Sequence, residues 1–71
     1  MINANKIRGR IVELGYSQGT VAERMGIRQP TLSQKLNGIR PMDVQDVEKL
    51  AEILQIDVKD FGDYFFYNPV T

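Results

Sequence analysis

The feature that most constrains this chain is a single glycine set inside an apolar pattern. From Ser17 to Gly38 the sequence reads SQGTVAERMGIRQPTLSQKLNG, with apolar residues spaced by three and four on either side of Gly26. Val21, Ala22 and Met25 form one helical stripe, and Leu32 and Leu36 form another, one turn apart. A glycine between two such stripes tolerates the left-handed backbone that a tight turn between helices requires. Ala22 is small enough to let the helices approach closely, and Val21, Met25, Ile27 and Leu32 fill the wedge between them. The pattern predicts two short helices crossing at a steep angle.

The flanking sequence extends the helical reading. Ile7, Ile11 and Leu14 make a stripe on a first helix, with Asn3 as its cap and Gly15 beyond it. Ser17 caps the second helix with its hydroxyl. Pro30 suits the first turn of the third, where a missing amide proton costs nothing, and Asn37-Gly38 stops it. Ile39-Arg40-Pro41 reads as an extended linker, because a proline biases the residue before it away from helix. Asp43 caps a fourth helix with a stripe at Val44, Val47, Leu50, Ala51 and Leu54, against which Ile56 packs. Asp57 is expected to cap a short fifth helix containing Val58 and Phe61. No continuous β-branched run, internal repeat or long linker interrupts this order. The expected fold is all-α, a compact five-helix bundle forming a single domain over residues 1–71.

A chain of 71 residues buries only about 60% of its unfolded surface, so the core must be thin. There is no Cys and no His, which removes disulfides, thiolate metal sites and the usual general base near neutral pH. Asp57, Asp60 and Asp63 have a superficial metal spacing, but a cap and a solvated acidic face explain them more simply. No nucleophile–base pair or phosphate loop is present, so no enzyme, no metal and no cofactor is expected, and no small-molecule ligand is evident. The N-terminal MINANKIRGR lacks the apolar stretch of a secretory signal, and no apolar run approaches a membrane span. A cytoplasmic protein with no membrane partner is expected. The formal net charge is zero, but it is unevenly placed. Residues 1–40 carry seven bases against two acids, and residues 41–71 carry two bases against seven acids. Such asymmetry suggests one basic working face and one acidic face turned away from it.

The third helix carries the most unusual surface. At about 100° per residue, inward-facing Leu32 and Leu36 turn Pro30 and Gln34 most directly outward, with Thr31 and Ser33 flanking them. Arg28 and Gln29 stand at the helix start. These are short, adaptable and mostly uncharged groups, where a plain solvated face would be charged. Glutamine pairs bidentately with adenine and arginine with guanine, serine and threonine bond base edges or phosphates, and Pro30 offers apolar contact to a thymine methyl. A purely basic helix would bind every sequence alike.

Taken together, Ser17-Gln18, Val21-Ala22, Met25-Gly26, Leu32-Ser33 and Leu36-Asn37-Gly38 make the stretch resemble the helix-turn-helix domain of lambdoid phage repressors and Cro proteins. That group belongs to the wider xenobiotic-response-element family, and the resemblance runs from Lys6 to Phe61. The family usually has an aliphatic residue where Lys35 stands, and Leu36 is expected to take over that packing. The resemblance implies a bacterial or phage transcriptional regulator, most simply a repressor, with the motif at residues 17–37. Helix 28–36 would read the major groove of a double-stranded DNA operator through Arg28, Gln29, Pro30, Thr31, Ser33 and Gln34. Gln18 and Asn37 would hold phosphates, with Arg40, Arg10 and Lys35 adding charge to the backbone contacts. For Arg10 a solvated surface role is the simpler expectation.

Five of the six aromatics fall in FGDYFFY, residues 61–67. Two readings fit: Phe61 and Phe65 close the core, or some of Tyr64, Phe65, Phe66 and Tyr67 form a subunit contact. Operators of two half-sites about one helical turn apart require a two-fold dimer or a second domain, so a homodimer is expected. Its contact tail would be residues 61–71, with NPVT as a dimer clasp or as the point where a longer protein continues. The competing function is a protein-interaction module, an antitoxin or adaptor that meets its partner through the acidic and aromatic C-terminal half.

Overall fold

Helices form where the apolar spacing and the caps predict them, in a computed structural model that describes residues 2–66. They are α1 (Ala4–Glu13), α2 (Gln18–Met25), α3 (Gln29–Leu36), α4 (Val44–Ile53) and α5 (Phe61–Phe65), the last entered through a 3-10 turn at Val58–Asp60. The described residues contain no strand. Their Cα radius of gyration is 11.2 Å, close to the ~11 Å of a compact domain this long. The expected five-helix, all-α architecture is the one observed.

Three N-termini are closed by the predicted side chains. Asn3 accepts the Lys6 N–H (3.2 Å), and Ser17 Oγ accepts the Thr20 N–H (3.1 Å). Asp43 accepts the Asp46 N–H (2.8 Å) while the Asp46 carboxylate accepts the Asp43 N–H (3.2 Å), a reciprocal capping box. Asp57 does not cap as expected. The chain enters α5 through a tight turn in which the Asp60 N–H bonds the Asp57 carbonyl (2.9 Å), and the Asp57 side chain makes no cap bond.

The C-termini share one device. Gly26 adopts φ +78°, its N–H bonds the Glu23 carbonyl (3.0 Å) and the Ile27 N–H bonds the Ala22 carbonyl (3.0 Å). This Schellman pattern satisfies carbonyls that a helix end leaves open. α1 and α3 end the same way, with Tyr16 N–H to Ile11 and Ile39 N–H to Gln34, both 2.9 Å. Ile39 and Arg40 therefore fold back over the end of α3 instead of running extended. α4 repeats the pattern without glycine: Gln55 takes φ +54° and the Ile56 N–H reaches the Ala51 carbonyl (2.9 Å).

The core is supplied by every helix: Ile7 and Ile11, then Val21, Ala22 and Met25, then Leu32 and Leu36, with Leu50, Ala51, Leu54 and Phe65 closing it. α2 is the hub, packing on α1, α3 and α4, while α1 also meets α5. Phe61 stacks edge-on against Phe65 at 5.4 Å between ring centres. Val44 departs from the expected stripe and is 72% exposed. α4 reaches the core only from Val47 onward, so Val44, one turn earlier, overhangs it.

A left-handed non-glycine residue costs about 1–2 kcal/mol, and an added glycine costs about 0.5–1 kcal/mol of chain entropy. Gln55→Gly is therefore expected to stabilise the domain by about 0.5–1 kcal/mol, raising Tm by a few degrees. Thermal denaturation followed by circular dichroism checks this. An unchanged or lower Tm would contradict it.

Candidate nucleic-acid interface

α2 and α3 are joined by only three residues, Gly26, Ile27 and Arg28. Because Gly26 turns the chain and Ile27 packs against the core, α3 begins immediately after α2 ends and presents its first residues outward. Arg28 has extended backbone and makes no cap hydrogen bond with its side chain, so its guanidinium is not committed to the helix end. Arg28, Gln29 and Pro30 are exposed, while Thr31, Ser33 and Gln34 are half-buried behind them. Leu32 and Leu36 are fully inward. The predicted division of α3 into an apolar and an adaptable polar face is present.

Gln34 is less free than the helical wheel suggests. Arg40, carried back by the folded-over linker, donates from Nε to Gln34 Oε1 at 2.6 Å. The two residues form one unit in which a cation orients an amide. Pro30 lies in the first turn of α3, where its missing N–H leaves no helical hydrogen bond unmade.

Gln18 heads α2, directly after the Ser17 cap. Ser17 takes the Thr20 N–H, which leaves the preceding amides of the first turn without an intrahelical partner. That end of a helix favours an anion through both its N–H groups and its dipole. Asn37 caps the other end of the motif and is exposed. Its Oδ1 accepts from Arg8 on α1, and its Nδ2 reaches Ser33 Oγ at 3.5 Å. Arg8 thus joins Asn37 and Ser33 in a basic, hydrogen-bonded corner that sequence reasoning did not single out. A contact spanning 29 residues leaves no local signal in the sequence.

Two residues expected to contact the DNA backbone are held elsewhere. Arg10 donates from Nε to the Leu54 carbonyl (2.9 Å) and from a terminal nitrogen to the Gln55 carbonyl (3.3 Å), and it pairs with Glu13. The side chain is bonded within the domain and is not freely solvated. Its guanidinium satisfies the last carbonyls of α4 beside the left-handed Gln55. Lys35 forms an ion pair with Asp46, in which the side chains are only 16% and 13% exposed. The ammonium is engaged by that pair, and Leu36 at 2% exposure fills the core position beside it. Burial alone would raise the Asp46 carboxyl, but the Lys35 hydrogen bond and charge and the Asp43 amide hold it below its ordinary value.

The aromatic tail also divides. Phe65 is buried and belongs to the core, so it is not available to a subunit contact. Tyr64 is half-buried, with the Lys6 ammonium 5.0 Å from its ring centre. Lys6 lies 3.7 Å from Asp63, and the Asn3 N–H bonds the Tyr64 carbonyl (2.8 Å), so α5 is tied to the start of α1. Phe66 is 70% exposed. Tyr67 lies outside the described residues.

A tightly turned helix pair that presents an outward polar helix defines a nucleic-acid-binding class of domain. Residues 7–61 match the family model described as "Helix-turn-helix", and the chain belongs to that family of lambda repressor- and Cro-like regulators. It is a DNA-binding helix-turn-helix regulator domain. No solved structure matches the chain. No helix among the described residues is long and apolar enough to cross a membrane.

Arg10→Met keeps the stem of the side chain but removes its donors. The variant is expected to lose about 1–3 kcal/mol of stability, the range for hydrogen bonds to a charged group together with carbonyls left unmet. The slope of DNA affinity against salt should be unchanged. A flattened slope without loss of stability would return Arg10 to the DNA backbone.

Proposed function

We propose that the domain is a sequence-specific transcriptional repressor that inserts α3 into the major groove of operator DNA and occludes a promoter. The observation that carries this reading is the exposed leading edge Arg28-Gln29-Pro30, backed by Thr31, Ser33 and Gln34. In the docking of such motifs the N-terminal residues of the second helix meet base edges. Arginine and glutamine have the bidentate chemistry for guanine and adenine, and proline adds an apolar surface for a thymine methyl. Gln18 and Asn37 hold phosphates at the two ends of the motif, with Arg8 and Arg40 adding charge there.

A homodimer completes the site, because two half-sites one helical turn apart need two such helices. Support comes from exposed Phe66 and Val44 beside an apolar depression of about 650 Å³ walled by Ile2, Leu36, Met42 and Phe61. A contiguous apolar patch of this kind marks an interaction surface.

Selection of bound sequences from random duplexes, repeated at two salt concentrations, tests the reading. A preferred sequence should emerge as two half-sites, and affinity should fall about 10³–10⁵-fold between 50 and 200 mM salt if six to ten phosphates are contacted. Gln34→Ala should relax the preference at particular base pairs and cost about 1–3 kcal/mol at the selected site, with little change on random DNA. Enrichment of no sequence, together with a salt-insensitive protein partner, would favour an antitoxin or adaptor role instead.

A further inference from the structure

α3 is eight residues long, too short to hold its own orientation without tertiary contacts. Its packing is chiefly against α2, and its buried side chains are Leu32 and Leu36. Those two residues lie one turn apart on a single line of the helix surface. Contacts along one line fix where the helix axis lies, but apolar contact is non-directional and leaves rotation about that axis weakly set. A second line of contact is needed to set the roll of the helix.

Lys35 supplies it. It stands about 100° around the helix from Leu36 and its ammonium meets Asp46 in the first turn of α4. Asp46 is itself immobilised, because its carboxylate accepts the Asp43 N–H and its own N–H bonds Asp43. The anion is thus part of a rigid cap, and a charge-assisted hydrogen bond to it is directional. The other side-chain ties at this helix, Arg8 to Asn37 and Arg40 to Gln34, are exposed, where such contacts contribute little. A largely buried ion pair adds little net stability compared with an apolar pair, but it can select one arrangement among several.

We infer that the Lys35–Asp46 pair sets the roll of α3 against α4, making Lys35 a positioning residue for the base-reading side chains and not a DNA contact. The inference rests on the proposed reading of DNA by α3, and the roll of the helix also has a readout that needs no DNA. Arg28, Gln29 and Gln34 project several ångströms from the axis, so a small rotation of α3 moves their donors out of register with base edges. A phosphate contact at Gln18 sits on α2 and does not turn with α3, and phosphate contacts carry no base information.

Three variants test this: Lys35→Met, Lys35→Met with Asp46→Asn, and Lys35→Arg. The double variant removes both charges but keeps an oxygen for the Asp43 N–H, so it guards against a fold failure caused by an unpaired Asp46. In both Met variants, affinity for the selected duplex should fall about tenfold, within the range a misplaced bidentate contact costs. Random-duplex affinity should stay within about twofold and the selected base distribution should broaden. Without DNA, amides of α3 should exchange at least about tenfold faster while those of α1 are unchanged. Lys35→Arg should restore both properties. Equal losses on selected and random DNA with a salt slope reduced by about one would make Lys35 a phosphate contact and overturn the inference. Unaltered base preference and α3 exchange in the double variant would overturn it too. If the unsubstituted protein enriches no sequence, the reading of DNA fails, and the exchange measurement alone decides the role of the pair.

Discussion

The burial of one edge of α2 is the constraint on which the rest of the domain depends. Val21, Ala22 and Met25 are almost wholly removed from water, and α1, α3 and α4 all pack against them. Helices of eight to ten residues are marginal alone in water, so each exists here because it buries a stripe against this hub. Ala22 is the pivotal position, since a larger side chain at 1% exposure would push α3 away from α2. Overpacking of this kind costs about 1–3 kcal/mol, and the displaced helix is the one with the adaptable polar face.

The same economy explains how polar groups are divided. Four of the seven bases in residues 1–40 serve the fold or its joints as the structure stands: Lys6 on α5, Arg10 on the end of α4, Arg24 against the Tyr16 ring and hydroxyl, and Lys35 on Asp46. Arg8, Arg28 and Arg40 remain around α3 and its ends. The surface that faces a partner is therefore less basic than the sequence count suggests. Discrimination by uncharged side chains is favoured where the surrounding charge is modest, because non-specific attraction to phosphate then contributes less.

Local signals were legible in the sequence and long-range ones were not. Asn3, Ser17 and Asp43 announce helix starts because a cap is a contact between near neighbours, and Gly26 announces the turn because few other residues adopt its backbone. The two apolar stripes of the motif predicted its burial for the same reason. Gln55 was illegible: it takes the left-handed conformation that glycine takes at the ends of the first three helices, and nothing local marks it. The Arg10 contact with Leu54 spans 44 residues and the Lys35 pair with Asp46 spans 11, and charge counting sees only a cation in each. Asp57 misled because an N-cap residue type also suits a 3-10 turn that uses its carbonyl instead of its side chain. Within the candidate site, the polar face of α3 was readable. The Arg8–Asn37 corner and the Arg40–Gln34 unit required the fold to be known.

Whether α3 reads bases is tested most directly on the protein itself, by following backbone amide shifts as labelled protein is titrated with an enriched duplex and with a scrambled one. Base reading by α3 predicts shifts at Arg28, Gln29, Thr31, Ser33 and Gln34 that differ between the two duplexes, with Gln18 and Asn37 shifting alike in both. Shifts centred on residues 43–66, or identical α3 shifts with the two duplexes, would contradict it.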